Sequence, residues 1–431
     1  MILRLSDSFS RGLLVLGALL VALWLSFFGV RSGIAGRIVE GKSGKDLALA
    51  VWLEPKNPEY WYRLGHYQQF NLEQPDVTAS LESYQRAVKL DPRYSEAWLD
   101  LGTAYELDGD IARARDAFQR AKKFYPASAN VSWRYGNFLL RQGDLPQALA
   151  ELKFTLESDP RLAGSAFSRA YRADPDIQVI LGDLLPPVPS AYVDAIAEAV
   201  GSYQLAAAQT MWMHLMTLNP HLQVRDFDKL VTALLANGDY DAARRIWDQG
   251  TSTMNLPSLV QPQGSVLWDP SFESGLTDQV FSWSYKPLEQ GVHTQLDTLE
   301  KLSGKQSLRL TFDGGHNPNL EIACSLGIVT PGLKYLFSAW VKTKNLAGDE
   351  GVRFHLRSLG NPQIPVAITK DTRGTSPWSS VEEQWTAAPG IHRVQVCVSR
   401  EPSTNADVRI SGDAWVDDVT LVPEVTEHHR P

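Results

Sequence analysis

Cysteine is almost missing from this 431-residue chain, which holds only Cys324 and Cys397. Two cysteines exclude a disulfide-built scaffold and a paired-cysteine zinc motif. A single bridge between them and two buried free thiols are both open readings. Positive charge is also short: 41 Lys and Arg face 49 Asp and Glu, a net charge of −8 with no basic stripe to offset it. That balance excludes nucleic acid as the main partner. Neither HExxH nor GxSxG occurs, and the nine histidines are scattered, with His428 and His429 in the tail offering at most a weak metal contact. Nothing singles out Asp297, Glu300 or Asp313 as part of a glycosidase carboxylate pair, whose signature is spatial rather than sequential. The expectation is a protein that is not an enzyme and requires no cofactor.

One long apolar run is present. Residues 12–30, GLLVLGALLVALWLSFFGV, carry no charge, close to the length that crosses a bilayer as a helix. Arg4 and Arg11 precede the run, and Arg31, Arg37 and Lys42 follow it, so charge does not fix its orientation. A secretory signal cleaved among the small residues Ser32 to Gly36 is the rival reading. The run is longer than the core of such a signal, which favours an uncleaved transmembrane anchor after a short segment 1–11. Immediately after it, Gly36-Arg37-Ile38-Val39-Glu40-Gly41-Lys42-Ser43 satisfies the spacing of a phosphate-binding loop. A true loop of that kind needs a buried strand before it and parallel βαβ units after it. Here an apolar helix precedes it, so residues 31–44 read as a flexible linker.

The strongest pattern is a period. Pro92, Pro126 and Pro160 stand 34 residues apart, and each interval repeats a sparse set of large and small residues. The clearest copy runs Trp98, Leu101, Gly102, Tyr105, Ala114, Phe118, Ala121, Pro126, with a Gly109-Asp110 turn between its halves. Large residues recur at helical spacing, small ones sit where paired helices cross, and proline ends each unit. A weaker copy follows with Tyr135, Gly136, Leu139, Gly143-Asp144, Ala148 and Leu152. Another precedes it with Trp61, Leu64, Gly65, Tyr84 and Ala87, its turn lengthened around Asn71 to Thr78. Gly238-Asp239, Ala243 and Trp247 restore the signature after a degenerate stretch that includes the hairpin 191–218. These residues resemble the tetratricopeptide repeat family, which implies an α-helical solenoid over 45–256 with a concave groove for a protein partner. Tyr62, His66, Asp100 and Thr103 are the candidates for that groove.

After a linker at 257–264 the helical period stops. Short alternating runs take over, at 307–312, 335–343, 351–358, 391–399 and 414–422, and read as an all-β sandwich over 265–424 with a frayed tail 425–431. The opening Leu267-Trp268-Asp269-Pro270-Ser271-Phe272-Glu273, the central Tyr335 to Thr343 and the closing Trp415-Val416-Asp417-Asp418-Val419 resemble carbohydrate-binding jelly rolls of the galactose-binding-like superfamily. The resemblance implies that residues 267–275 form the first strand. It also implies a structural calcium near Glu273 and Asp417 or Asp418, of which alternation allows only one to point at the ion. Sugar rings stack on exposed aromatics, so Trp378, Trp283, Tyr285, Trp340 and Trp385 are candidates, with Trp378 placed in a loop. Arg353, His355 and Arg357 alternate along one strand and could read hydroxyls. Trp340 and Trp415 are expected in the core.

The parts together describe a multidomain protein of the bacterial inner membrane, single-pass, with its soluble domains on the periplasmic side. The expected role is a non-enzymatic scaffold in exopolysaccharide or surface-glycan assembly. Its partner would be a membrane glycan polymerase, ligase or export component, and the jelly roll would meet polysaccharide. A surface lectin that captures glycan, and a glycan-modifying enzyme with an unrecognised site, are the competing readings.

Overall fold

The computed structural model describes residues 8–41, 43–259, 264–275, 277–405 and 408–424. The tail pair His428 and His429 lies outside them. The chain divides between Pro186 and Pro187 into two compact units.

The first unit is helical. Helix α1 (Ser8–Val39) is long and apolar enough to cross a bilayer, and from Gly12 to Val30 every side chain except half-buried Phe28 is exposed. The helix does not stop where the apolar run stops. It continues through Val39, and Ala35 and Val39 are buried with Leu47, Ala50, Val51 and Tyr60. The flexible linker expected at 31–44 is therefore mostly helix, and Gly36 to Val39 form helical turns rather than a phosphate loop. Then come α2 (Gly44–Leu53), α3 (Pro58–Phe70), α4 (Val77–Leu90), α5 (Ser95–Leu107), α6 (Ile111–Phe124), α7 (Ala129–Arg141), α8 (Leu145–Ser158) and α9 (Ala163–Ala173). The short α10 (Ile177–Val179) runs into a π-turn at Ile180–Leu184.

The repeat residues do what their spacing requires. Gly109 and Gly143 take the left-handed conformation that ends one helix (φ +83° and +76°), and Asp110 caps the next through the Arg113 amide. Such a cap contributes about 1 kcal/mol. Gly102 sits where α5 crosses α6: a methyl group there would lie 2.9 Å from the Phe118 ring. Phe118 packs on Tyr135 and Phe138 of the following hairpin. Each hairpin thus buries the face of its neighbour. Trp61 and Trp98 each donate their indole N–H to the carbonyl of the proline six residues earlier, Pro55 and Pro92, fixing the turn into the helix.

The second unit joins four more helices to a β-sandwich. The helices are α11 (Pro189–Gly201), α12 (Leu205–Thr217), α13 (Asp228–Asn237) and α14 (Tyr240–Ser252). The strands are β1 (Ser284–Tyr285), β2 (Leu288–Glu289), β3 (Val292–Asp297), β4 (Ser307–Asp313), β5 (Leu320–Ile328), β6 (Lys334–Ala347), β7 (Arg353–Leu359), β8 (Ala367–Ile368), β9 (Gly374–Thr386), β10 (Arg393–Arg400) and β11 (Ser411–Pro423). Two antiparallel sheets result, ordered β1-β5-β10-β7-β8 and β2-β3-β4-β11-β6-β9. Their facing sides hold Phe337, Val341, Phe354, Leu356, Val394, Val396 and Val416.

Residues 267–275 are not a strand, contrary to expectation. Asp269 and Phe272 adopt φ of +53° and +61°, and the Asp269 carboxylate folds the segment by accepting the amides of Glu273 and Ser274. The described part of the expected linker is also ordered. The Leu259 amide bonds Asp248, and the Pro257 carbonyl accepts from the Trp268 indole.

Trp247 explains this order. It occupies in α14 the place that Phe118 occupies in α6, eight residues after the aspartate of a Gly-Asp turn. Phe118 faces another helical hairpin, whereas Trp247 is fully buried edge-on against Trp268 and Phe281 of the sandwich. Around it, Asp228 accepts the Val280 amide and Tyr240 stacks on His392. The sandwich thereby takes the position of a further repeat.

Candidate functional site

Two surfaces combine aromatic and polar side chains. In the first unit, Val39, Leu47, Tyr62, Arg63, His66 and Tyr67 line a cleft of about 340 Å³. The four groove candidates separate here. Tyr62 and His66 line the cleft, their rings 6.1 Å apart. Asp100 is instead buried at 4% exposure and ion-paired to Arg134 at 2.7 Å, with Thr103 bonded to the same guanidinium at 3.0 Å. Burial, reinforced by the Asp100 charge, pushes the Tyr62 hydroxyl well above its usual pKa. Arg141 with Glu106 at 2.8 Å and Arg169 with Asn137 at 2.7 Å extend this ladder across successive hairpins at about the repeat spacing. Asp100 and Thr103 therefore join repeats, Asp100 buried and Thr103 half-buried.

In the second unit the predicted sugar-binding residues fall on different surfaces. Trp283 and Trp385 are buried at 2% and 6% exposure, and Tyr285 packs against the same core. This corrects the expected stacking set. The Trp283 indole bonds the Asp269 carbonyl. Arg353, His355 and Arg357 do share the outer face of the five-stranded sheet, but their charges are spent. Arg353 pairs with Glu350 and Glu401, Arg357 with Glu321, and His355 lies 3.6 Å from Glu321. Burial lowers the His355 pKa, so the imidazole is neutral at pH 7. On this face Cys397 lies opposite both His355 and Cys324, and the two cysteines form a disulfide. The question left open by the sequence is resolved in favour of a bridge.

The aromatic surface is on the other sheet. In β6, Phe337, Ala339 and Val341 point inward, which turns Ser338, Trp340 and Lys342 outward. Trp340 is thus half-buried at the surface rather than in the core. Trp415 is also on the outer face, 4% exposed because Arg309 and Lys342 cover its ring and Asp297 accepts its N–H. Trp378 lies in β9 and not in a loop, where the register with β6 is irregular, one alternation from Ser380 opposite Trp340. Beside Trp340, the residues Ser271, Glu273, Ser338, Asp418 and Thr420 surround a second cleft of about 340 Å³, closed at one rim by Pro257. An indole bordered by three acidic residues, Asp269 among them, and three hydroxyls offers an apolar platform and several acceptors, the combination that holds a sugar ring. Sequence reasoning raised Trp340 as a candidate and then set it aside by assigning it to the core. The signal that could have found it was the two-residue alternation of a strand whose other face is Phe, Ala and Val.

The expected calcium does not fit these residues. Asp417 is fully buried behind the cleft, its oxygens accepting the amides of Leu302, Ser303 and Asp418. Glu273 accepts the amides of Lys305 and Gln306 through one oxygen. Asp418, at φ +47° in the bulge of β11, accepts the hydroxyls of Ser271 and Ser303. Among the described residues these three carboxylates form no group of converging ligand atoms. Amide and hydroxyl donors already engage an oxygen of each of the three.

Burial pushes Asp417 up to about 6. The folded chain then holds this proton more tightly than the unfolded chain, where an aspartate titrates near ~3.9. Stability from this group is complete below the unfolded value and is lost as pH rises through about 6. In urea titrations, Asp417→Asn should flatten the fall in stability between roughly pH 4 and 6. The opposing slope of His355 is common to both proteins and cancels in their difference.

Comparison with known proteins places residues 72–129 in register with the family model described as tetratricopeptide repeat. Over 92 residues the chain is 33% identical to protein O-mannosyl-transferase TMTC1 of Mus musculus, an alignment that covers 20% of this chain and 9% of that protein. Among solved structures, PilW, described as a widely conserved type IV pilus biogenesis factor, is 18% identical, with 54% of this chain and 95% of that one covered at a TM-score of 0.28. A xylan-binding domain from carbohydrate-binding module family 22 is 15% identical, with 38% and 100% covered at a TM-score of 0.27.

Proposed function

We propose that this chain is a non-catalytic, membrane-anchored adaptor of the bacterial envelope that brings a protein partner and a glycan together during surface-polysaccharide assembly or export. In this reading α1 is the single-pass anchor in the inner membrane. The tetratricopeptide-like hairpins hold the partner, a membrane glycan polymerase, ligase or export component, with Tyr62 and His66 in the contact. The cleft beside Trp340 takes the sugar. That cleft is the observation that carries the proposal, because it joins a half-buried surface indole to carboxylates and hydroxyls on the sheet. The disulfide supports the periplasmic side, since such bonds persist in oxidising compartments and are rare in the cytosol.

The test is binding of the purified full chain to a broad polysaccharide panel, with calcium and with chelator. Saturable binding is expected, unchanged by chelator and weakened at least tenfold by Trp340→Ala, with a smaller loss for Trp378→Ala. A tenfold change corresponds to about 1.4 kcal/mol. Binding that disappears with chelator would restore an ion to the Glu273 region. Absence of binding to every glycan by the folded protein would remove the sugar from the proposal.

A further inference from the structure

The start of the solenoid is built back onto the base of α1. After the turn at Glu40 and Gly41, α2 runs antiparallel to the last turns of α1, and the Ser32 hydroxyl donates to Glu54 just beyond the end of α2. Ser32 lies two residues past the apolar run, about 3 Å along a helix that rises roughly 1.5 Å per residue. Glu54 is therefore at the same level. One face of α2 is buried against α1 and α3 through Leu47, Ala50 and Val51. The opposite face, at helical spacing, is Lys45, Ala48, Leu49 and Trp52, all exposed, with Leu49 at 43% and Trp52 at 76%. A tryptophan left this bare has no packing role in the first unit.

We infer that Trp52 is an interfacial anchor that lies in the lipid headgroup layer beside α1 and docks the first helical hairpins on the membrane surface. The argument rests on the reading of α1 as a membrane span. The headgroup layer extends roughly 5–7 Å beyond the hydrocarbon on each side. Trp52 is two residues before Glu54, so its backbone stands about 6 Å above the end of the apolar run, counted at 1.5 Å per residue. An indole is suited to that layer, with an apolar body and one N–H donor. Exposed Lys56, two residues past Glu54, and half-buried Arg31 at the end of the run add positive charge close by, suited to lipid phosphates. Because α1 continues unbroken into the packing of α2 and α3, this contact sets the orientation of the first cleft relative to the bilayer instead of leaving it on a tether.

The experiment reconstitutes the full chain in vesicles of phosphatidylcholine and phosphatidylglycerol, with and without lipids brominated high on the acyl chain, which quench nearby indoles. Subtracting the emission of Trp52→Phe from that of the wild type isolates Trp52, and Trp24→Phe isolates Trp24 inside the span. Loss of both difference signals in brominated vesicles is the expected result. Quenching of Trp24 with undiminished Trp52 emission would overturn the inference and leave the anchor standing. Undiminished emission from both would overturn the anchor and the inference together.

Discussion

Trp247→Ala is expected to destabilise the second unit by about 3–5 kcal/mol, the range for removing a large aromatic ring from a core. The ring is fully buried, and its N–H has no acceptor among the described residues, so the variant loses packing without losing a hydrogen bond. What distinguishes this substitution is where the loss should be felt. The ring touches Phe227 of the helical part and both Trp268 and Phe281 of the sandwich. A cavity there opens the packing of the helices on the sandwich at the ring that meets both. Hydrogen exchange measured on the full chain should therefore accelerate in α14 and in the segment around Phe281 by the same factor. Faster exchange in α14 alone would mean that the sandwich stands without the helices, and the capping role assigned to it would be wrong.

Replacing both Cys324 and Cys397 with serine should cost about 4 kcal/mol, from the chain-entropy cost of a loop this long. The two residues are 73 apart in sequence and face each other across β5 and β10, neighbours in the middle of the five-stranded sheet. Without the bond, the unfolded state regains the freedom of everything between them, including β6, β7 and β9. For a unit of this size, each kcal/mol moves Tm by about 2–4 °C, so a decrease of roughly 10 °C is expected in calorimetry. Dithiothreitol should bring the wild type to the same value. An unchanged Tm in both would mean that the reduced sheet holds its register unaided.

The fold was legible wherever periodicity forced it. The 34-residue spacing located the hairpins from α3 to α8, because Gly102, Ala114 and Phe118 can occupy only positions where helices cross. Alternation located β4, β6, β7, β10 and β11 within a few residues. Failures came where a tertiary contact overrode local pattern. Residues 31–39 look like a polar linker yet stay helical, because Ala35 and Val39 find a partner in α2. Residues 267–275 look like a strand yet turn, because the Asp269 carboxylate gathers two amides. The site was less legible than the fold. Trp283, Trp340, Trp378 and Trp385 look alike in sequence, and only the direction of each strand's pleat divides them into two core rings and two surface rings. Charge compensation was equally hidden, since Arg353 and Arg357 meet Glu401 and Glu321 from strands and loops far away in the chain.

The position of Trp247 has a consequence for how such a chain can lengthen. Helical arrays grow and shrink by duplication or loss of whole hairpins, each new copy stacking on an exposed end. In the second unit that end is consumed, because Trp268 and Phe281 occupy the surface a new copy would need. A hairpin inserted after Ser252 would have nothing to stack on and would dislodge the sandwich. Variation in repeat number, in natural relatives or by design, is thereby confined to positions upstream of α14.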